Sequence, residues 1–186
     1  ISVVNKISIL SGLANYHEDI AKLKTIEFDL LFLATGLTDG SNFIKQFRDM
    51  GFKQPVVGGG ALYRNKLFQI TGKEAENIYA MSLYNPDKNT NAYLTFKNNF
   101  KKKFNKEPDD MALIAYDGIY TLVNAIKKTD SFRTANISPI LHYNYHYDGI
   151  SNKFQFNEDG DLTNHNLFFY KAVNKKFERI DIDFNS

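Results

Sequence analysis

Three stretches of this 186-residue sequence carry groups suited to holding a small polar molecule. The first is Thr35-Gly36-Leu37-Thr38, directly after the apolar run Leu30-Leu31-Phe32-Leu33-Ala34. A strand there would hand the chain to a helix N-terminus, whose free N–H groups, with the Thr35 or Thr38 hydroxyl, could bind a carboxylate or carbonyl. An ordinary strand-to-helix turn, capped by Thr38 or Asp39, reads the same residues equally well. The second stretch is Gly58-Gly59-Gly60-Ala61. Consecutive glycines let the backbone approach a ligand closely and can form an anion-binding nest, and they also make a flexible turn. The third is Tyr116-Asp117, set inside an almost wholly apolar segment. An unpaired carboxylate is costly to bury, so Asp117 must face a polar opening or take a partner such as Arg. Structural pairing is the favoured of these. Tyr84, at the end of a later strand, would line a binding surface or pack a hinge.

His142, Asn144, His146 and Asp148 alternate, so a strand would place them on one face, opposite Tyr143, Tyr145 and Tyr147. That face could bind zinc, although a solvated face backed by buried tyrosines is the commoner outcome of such a pattern. Phosphate-cradling and hydrolase motifs are absent: there is no G-x-G-x-x-G, G-x-x-x-x-G-K-[ST] or G-x-S-x-G. No cofactor is implied, and an enzyme is the least favoured class.

Bulk properties narrow the partners. Lys plus Arg total 23 against 21 Asp plus Glu, which gives no general field for nucleic acid or an anionic membrane. The run Lys101-Lys102-Lys103 is read as a solvated helix face. Cysteine is absent, which removes disulfides, thiolate zinc sites and thiol nucleophiles, and suits periplasm and cytoplasm alike. The longest apolar run is far short of the ~20 residues that span a bilayer. Hydrophobic residues at 43% supply enough apolar matter for a packed core.

The first ninety or so residues alternate strand and helix periods. Strands are expected at residues 2–10, 29–35, 55–58 and 77–83. The second is a continuous apolar run, the pattern of a strand covered by helices on both faces. Between them, Asn15 would cap a helix carrying Ile20, Leu23 and Ile26, and Thr38 or Asp39 one that buries Phe43, Ile44, Phe47 and Met50 before Gly51 stops it. A short helix is expected near residues 65–70. Such repeats predict an α/β fold on a parallel, Rossmann-like sheet with right-handed crossovers. After Pro86 the pattern changes to two successive helices. Tyr93, Phe96, Phe100 and Phe104 stripe one, and the other, opened by Pro108 and Asp109, is apolar almost all round. A polar loop, a hairpin at 147–156 and a last strand at 166–173 complete the reading.

Several pieces, in this order and spacing, resemble the branched-chain amino acid-binding family of type I periplasmic solute-binding proteins. They are Asn15-Tyr16-His17-Glu18-Asp19-Ile20, Phe47-Arg48-Asp49-Met50-Gly51-Phe52 leading into Pro55-Val56-Val57-Gly58, Ala115-Tyr116-Asp117-Gly118-Ile119-Tyr120, and Phe154-Gln155-Phe156-Asn157-Glu158-Asp159-Gly160-Asp161. The resemblance implies two α/β lobes with a ligand clamped between them. Residues 1–85 and 162–186 would form the second lobe, and 86–161 a portion of the first. The sheet that this portion covers would lie upstream of Ile1, making the N-terminal part of the same protein a missing partner. The implied function is the extracytoplasmic, periplasmic binding component of an ABC-type importer, delivering a small-molecule ligand to a membrane permease. A sensory domain of the same fold is the alternative. Ligand contacts would come from Thr35, Gly36, Leu37, Gly59, Gly60, Ala61, Tyr84, Tyr116 and Asp117. Amino acid-binding members carry an acidic residue where Gly60 stands and an aromatic near Gly36. These departures count against an α-amino acid ligand, and no ligand is named.

Overall fold

The computed structural model describes residues 2–83, 90–143, 146–151, 153–163 and 167–182. The chain divides into two compact units, Ile1–Ser82 with Phe168–Ser186, and Leu83–Leu167.

The first unit holds a five-stranded sheet in the order β1 (Leu31–Leu33), β2 (Val56–Gly58), β3 (Ile78–Ser82), β6 (Phe168–Val173), β7 (Lys176–Ile180). The first three strands are parallel and the last two antiparallel. Helices α1 (His17–Lys22), α2 (Leu37–Asp49) and α3 (Asn65–Thr71) supply one continuous core with the strands. Phe43, Ile44 and Phe47 of α2 are buried there, as sequence periodicity requires, while Met50 is only partly covered. Gly51 takes φ +93°, a left-handed conformation open to glycine at little cost, and its N–H closes the helix on the Arg48 carbonyl at 2.9 Å. Arg48 then fastens the next turn. Its guanidinium donates to the carbonyls of Phe52, Gln54 and Glu76 at 3.2, 2.9 and 3.2 Å, joining α2 to the approaches of β2 and β3. Burial lowers the Arg48 pKa from its ordinary value.

Several expectations are corrected. Residues 2–10 form no ladder, because a strand needs a neighbour and none among the described residues pairs with them; Ile7 and Ile9 still pack on the core. Helical cover of β1 on both faces does not hold. Leu33 is buried whereas Phe32 is 58% exposed, since the core helices pack on one face of the sheet only. The helix after β1 is capped by Gly36, which has no side chain to offer, so Thr38 and Asp39 lie inside its first turn. The helix before it starts after Tyr16, and Asn15 Oδ1 accepts from the His17 N–H at 2.8 Å from just outside. A further strand, β7, follows β6 through Asn174 and Lys175, both at positive φ (49° and 60°). That two-residue turn matches the twist of a hairpin but lacks the usual glycine, which hid it in the sequence.

The second unit is built on α4 (Asn91–Phe104) and α5 (Asp110–Thr129), with α6 (Thr134–Tyr143) and the short hairpin β4 (Tyr147–Asp148) and β5 (Lys153–Phe154). Asp109 caps α5, its carboxylate accepting from the Ala112 N–H at 2.9 Å. The stretch read as a polar loop contains α6, whose Pro139 suggests a break; the ring lies on the exposed side while Ile137 packs with Ala125 of α5. His142 therefore sits on a helix and not on an alternating strand face, and its Nδ1 lies 3.0 Å from the Glu158 carbonyl oxygen. Asn144 and Tyr145 lie outside the described residues, and no group able to hold a metal occurs among those described. A helix apolar almost all round calls for cover on most sides, yet α5 is not enclosed by the described residues. Met111 is 50%, Ile119 61% and Leu122 43% exposed along a line of the helix that also carries Ala115.

Candidate functional site

Parallel β1 and β2 run in register, Leu33 beside Gly58, so their carboxyl ends open side by side. In an open α/β sheet this is the edge where ligands settle. From β1 the chain passes through Ala34, Thr35 and Gly36 into α2. The Gly40 N–H is the first to find an intrahelical acceptor, the Gly36 carbonyl at 2.9 Å. The N–H groups of Leu37, Thr38 and Asp39 precede that bond and lie at the positive end of the helix dipole. From β2 the chain passes through Gly59, Gly60 and Ala61, where the Leu62 and Tyr63 N–H groups return to the Gly59 and Gly60 carbonyls at 3.0 and 3.2 Å. The structure thus brings Thr35, Gly36 and Leu37 together with Gly59, Gly60 and Ala61 at adjacent strand ends.

Leu62 holds this pair of loops in place, and periodicity did not single it out. It is completely buried, and its side chain fills the space that side chains on Gly40 and Gly58 would need. An added Cβ on Gly58 would stand 2.3 Å from Leu62 Cδ1, and one on Gly40 2.7 Å from Leu62 Cδ2. Thr35 Oγ1 faces the same contact, 2.5 Å from the position of a Gly40 Cβ, and is shielded from solvent with no hydrogen-bond partner among the described residues. What these strand ends present is therefore backbone N–H, not the Thr35 hydroxyl. Gly60 is less confined, its nearest neighbour to an added Cβ being the Met81 carbonyl oxygen at 3.4 Å.

Beside the β1 loop, Asp39 fixes the segment that precedes α1. Its carboxylate accepts from Ser11 Oγ at 2.5 Å, the Gly12 N–H at 3.1 Å and Tyr16 Oη at 2.9 Å. The bonds from Ser11, Tyr16 and Gly12 hold its pKa below the ordinary value of 3.8. A depressed carboxylate adds stability that is complete above its unfolded pKa and is lost as pH falls through the folded one. The stability-against-pH curve of Asp39→Asn should thus run flatter than wild type below about pH 4. Parallel acid limbs would remove this anchor.

The other sequence candidates lie elsewhere. Tyr84 is outside the described residues. Tyr116 and Asp117 belong to α5, in the second unit. Tyr116 lines a shallow groove of about 590 Å3 with Phe96, Phe100, Phe104 and Ile150. Its pKa is pushed up to about 12, first by the hydrogen bond with Tyr120 and then by burial. Asp117 is completely buried, and both its oxygens are taken. Oδ1 accepts from the Ile150 N–H at 2.8 Å, and Oδ2 from the Ser151 N–H at 2.7 Å and from Ser151 Oγ. The partner is backbone and serine rather than Arg. Gly149 makes this possible, because a Cβ there would lie 2.6 Å from the carboxylate.

Comparisons with known proteins accord with this architecture. A Leu/Ile/Val-binding protein homolog 2 from Brucella abortus (strain 2308) is 24% identical over 145 residues, 76% of this chain and 38% of that protein. The leucine-binding protein LivK of Thermotoga maritima superposes with a TM-score of 0.83 at 19% identity, over 95% of this chain and 51% of its own. A solute-binding protein of an ABC transporter from R. palustris, solved in complex with benzoate, gives 0.76 at 15% identity over 96% of this chain and 49% of its own. At these identities the likeness of the solved structures is one of fold, a type I periplasmic binding protein fold. The chain spans about half the length of those solved relatives, or less of the Brucella protein. No helix among the described residues is long and apolar enough to cross a membrane. The periplasmic binding protein family model matches residues 1–177, nearly the whole sequence, and the chain belongs to that family of binding proteins.

Proposed function

We propose that this chain is part of the extracytoplasmic solute-binding component of an ABC-type importer, and that its first unit supplies one wall of the ligand site. In this reading the first unit is most of the second lobe, and the second unit is a portion of the first lobe. The permease and the remainder of the receptor are its partners. The observation that carries the proposal is the pairing of two parallel strand ends, one opening on a helix N-terminus that has no side-chain cap and the other on Gly59-Gly60-Ala61. Backbone donors clustered this way suit a carboxylate or carbonyl of a small polar solute: an amino acid-like molecule, an amide or a carboxylate. Ligand contacts would favour the closed receptor over the open one. Asp117 is assigned to holding the Gly149–Ser151 loop and not to the ligand.

The test is a thermal-shift screen of amino acids, amides, ureas and small carboxylates on the receptor at its full encoded length, followed by titration calorimetry of any hit. Gly60→Val should weaken a hit by about tenfold or more, roughly 1.4 kcal/mol, while leaving the melting temperature of the free protein nearly unchanged. A hit whose affinity ignores Gly60→Val would move the site away from these strand ends. Sensing remains the second reading, favoured by the likeness to an extracellular ligand-binding receptor from Desulfohalobium retbaense, of which this chain covers only 30%. Solute uptake that survives deletion of the gene would decide for it.

A further inference from the structure

Phe132 is 88% exposed, more than any other large apolar side chain among the described residues. It stands on the turn between α5 and α6, beyond the end of the helix that carries Met111, Ile119 and Leu122. The turn is firmly built. Asp130 ends α5 in a left-handed conformation, φ 48°. Thr129 Oγ1 lies 3.1 Å from the Ile126 carbonyl oxygen and 3.3 Å from that of Ser131. Ser131 Oγ accepts from the Arg133 N–H at 3.2 Å and from Asn136 Nδ2 at 2.9 Å. The backbone on both sides of Phe132 is therefore fixed, while its ring is left in solvent. Cations gather at the same tip. Lys127 and Lys128 lie in the last turn of α5, Arg133 follows the ring directly, and all three are exposed, against the single carboxylate of Asp130.

We propose that this turn docks the second unit on an anionic lipid surface. Phe132 enters the boundary between headgroups and acyl chains, and Lys127, Lys128 and Arg133 meet the lipid phosphates. A protein partner fits less well. A stable interface takes about 800 Å2 from each side, whereas one aromatic ring supplies about 150–250 Å2. The residues that follow, Thr134, Ala135 and Asn136, are small or polar, so no apolar patch widens around the ring. A fluid lipid surface needs no matching shape and admits a lone aromatic flanked by cations. Charge over the whole chain is nearly balanced, 23 against 21, so the attraction belongs to this tip and salt screens it beyond about 10 Å. Because the turn is held in place beforehand, little ordering is lost on docking. This surface is separate from the paired strand ends, and neither reading stands on the other.

The test sediments the receptor at its full encoded length, free of attached lipid, with vesicles of phosphatidylcholine alone or mixed equally with phosphatidylglycerol. Wild type should partition onto the mixed vesicles and not the neutral ones, and should release as salt rises. Phe132→Ser, and Lys127→Glu combined with Arg133→Glu, should each lower that partitioning on the order of tenfold. The melting temperature should stay unchanged in both, and so should solute affinity by calorimetry. In Phe132→Trp, brominated acyl chains should quench the emission that the substitution adds. Partitioning that ignores Phe132→Ser, or that is equal on neutral vesicles, would overturn the proposal. A melting temperature lowered by several degrees in Phe132→Ser, with no effect on vesicles, would overturn it too, giving the ring to a contact within the receptor. Solute uptake lost in Phe132→Ser without any vesicle binding by wild type would give the turn to a protein partner instead, and the lipid surface would fall.

Discussion

Replacing Asp117 with Ala is expected to destabilise the second unit by on the order of 3–5 kcal/mol, the largest effect of any single substitution considered. The carboxylate is fully buried and accepts the N–H groups of Ile150 and Ser151 and the Ser151 hydroxyl. Alanine would leave all three donors without their acceptor, and an unsatisfied buried donor costs about 1–3 kcal/mol. Asparagine keeps one acceptor oxygen and turns an NH2 toward the other donors, so Asp117→Asn should fall between Ala and wild type. The chain has no tryptophan, so urea denaturation followed by far-UV circular dichroism is the practical readout. Exchange at the Ile150 and Ser151 amides adds the local one. If both amides stay as protected in Asp117→Ala as in wild type, Asp117 is not the anchor of this loop. Gly149→Ala attacks the same contact from the other side, since its Cβ would meet the Asp117 carboxylate at 2.6 Å. The two substitutions should be strongly non-additive, because each breaks one shared arrangement.

The second large effect is at the strand ends. Gly58→Ala places a methyl 2.3 Å from Leu62 Cδ1 and 2.8 Å from Leu62 Cγ, and Leu62 is fully buried with little room to yield. Overpacking of this kind costs about 1–3 kcal/mol. Leu62→Ala alone should cost about 2–5 kcal/mol through the cavity it leaves. In the double variant the new methyl occupies part of that cavity, so the combined loss should be smaller than the sum. Urea midpoints of the four proteins close the cycle, and strict additivity would show that Leu62 does not plug the space beside Gly58. Ligand affinity should fall in Gly58→Ala as well, because displacing Leu62 shifts the adjoining Gly59-Gly60-Ala61 backbone.

Much of the first unit was legible in the sequence because its signals are local. The apolar run at Leu31–Leu33 gave a strand, the spacing of Phe43, Ile44 and Phe47 gave the helix after it, and Gly51 gave the stop. Each depends on residues within about four positions, which fix backbone period and capping. Local signals failed where tertiary packing overrode them. Pro139 marked a break, yet α6 runs through it with the ring outward, because Ile137 has Ala125 of α5 to pack against. Asn174-Lys175 turns a hairpin without the glycine that would have announced it.

The candidate site divides along the same line. Sequence alone determined that Thr35–Leu37 and Gly59–Ala61 follow strands, and that a carboxylate at position 117 needs a partner, since burial of charge is costly wherever it occurs. Only the tertiary structure decided who the partners are. Asp117 meets residues 33 and 34 positions away, and Leu62 turns back against Gly40 and Gly58. It also decided that the Thr35 hydroxyl points inward, leaving backbone N–H as the group on offer. Periodicity specifies which face of an element is buried, but the atoms that meet across that face are chosen by the packing of segments far apart in the chain.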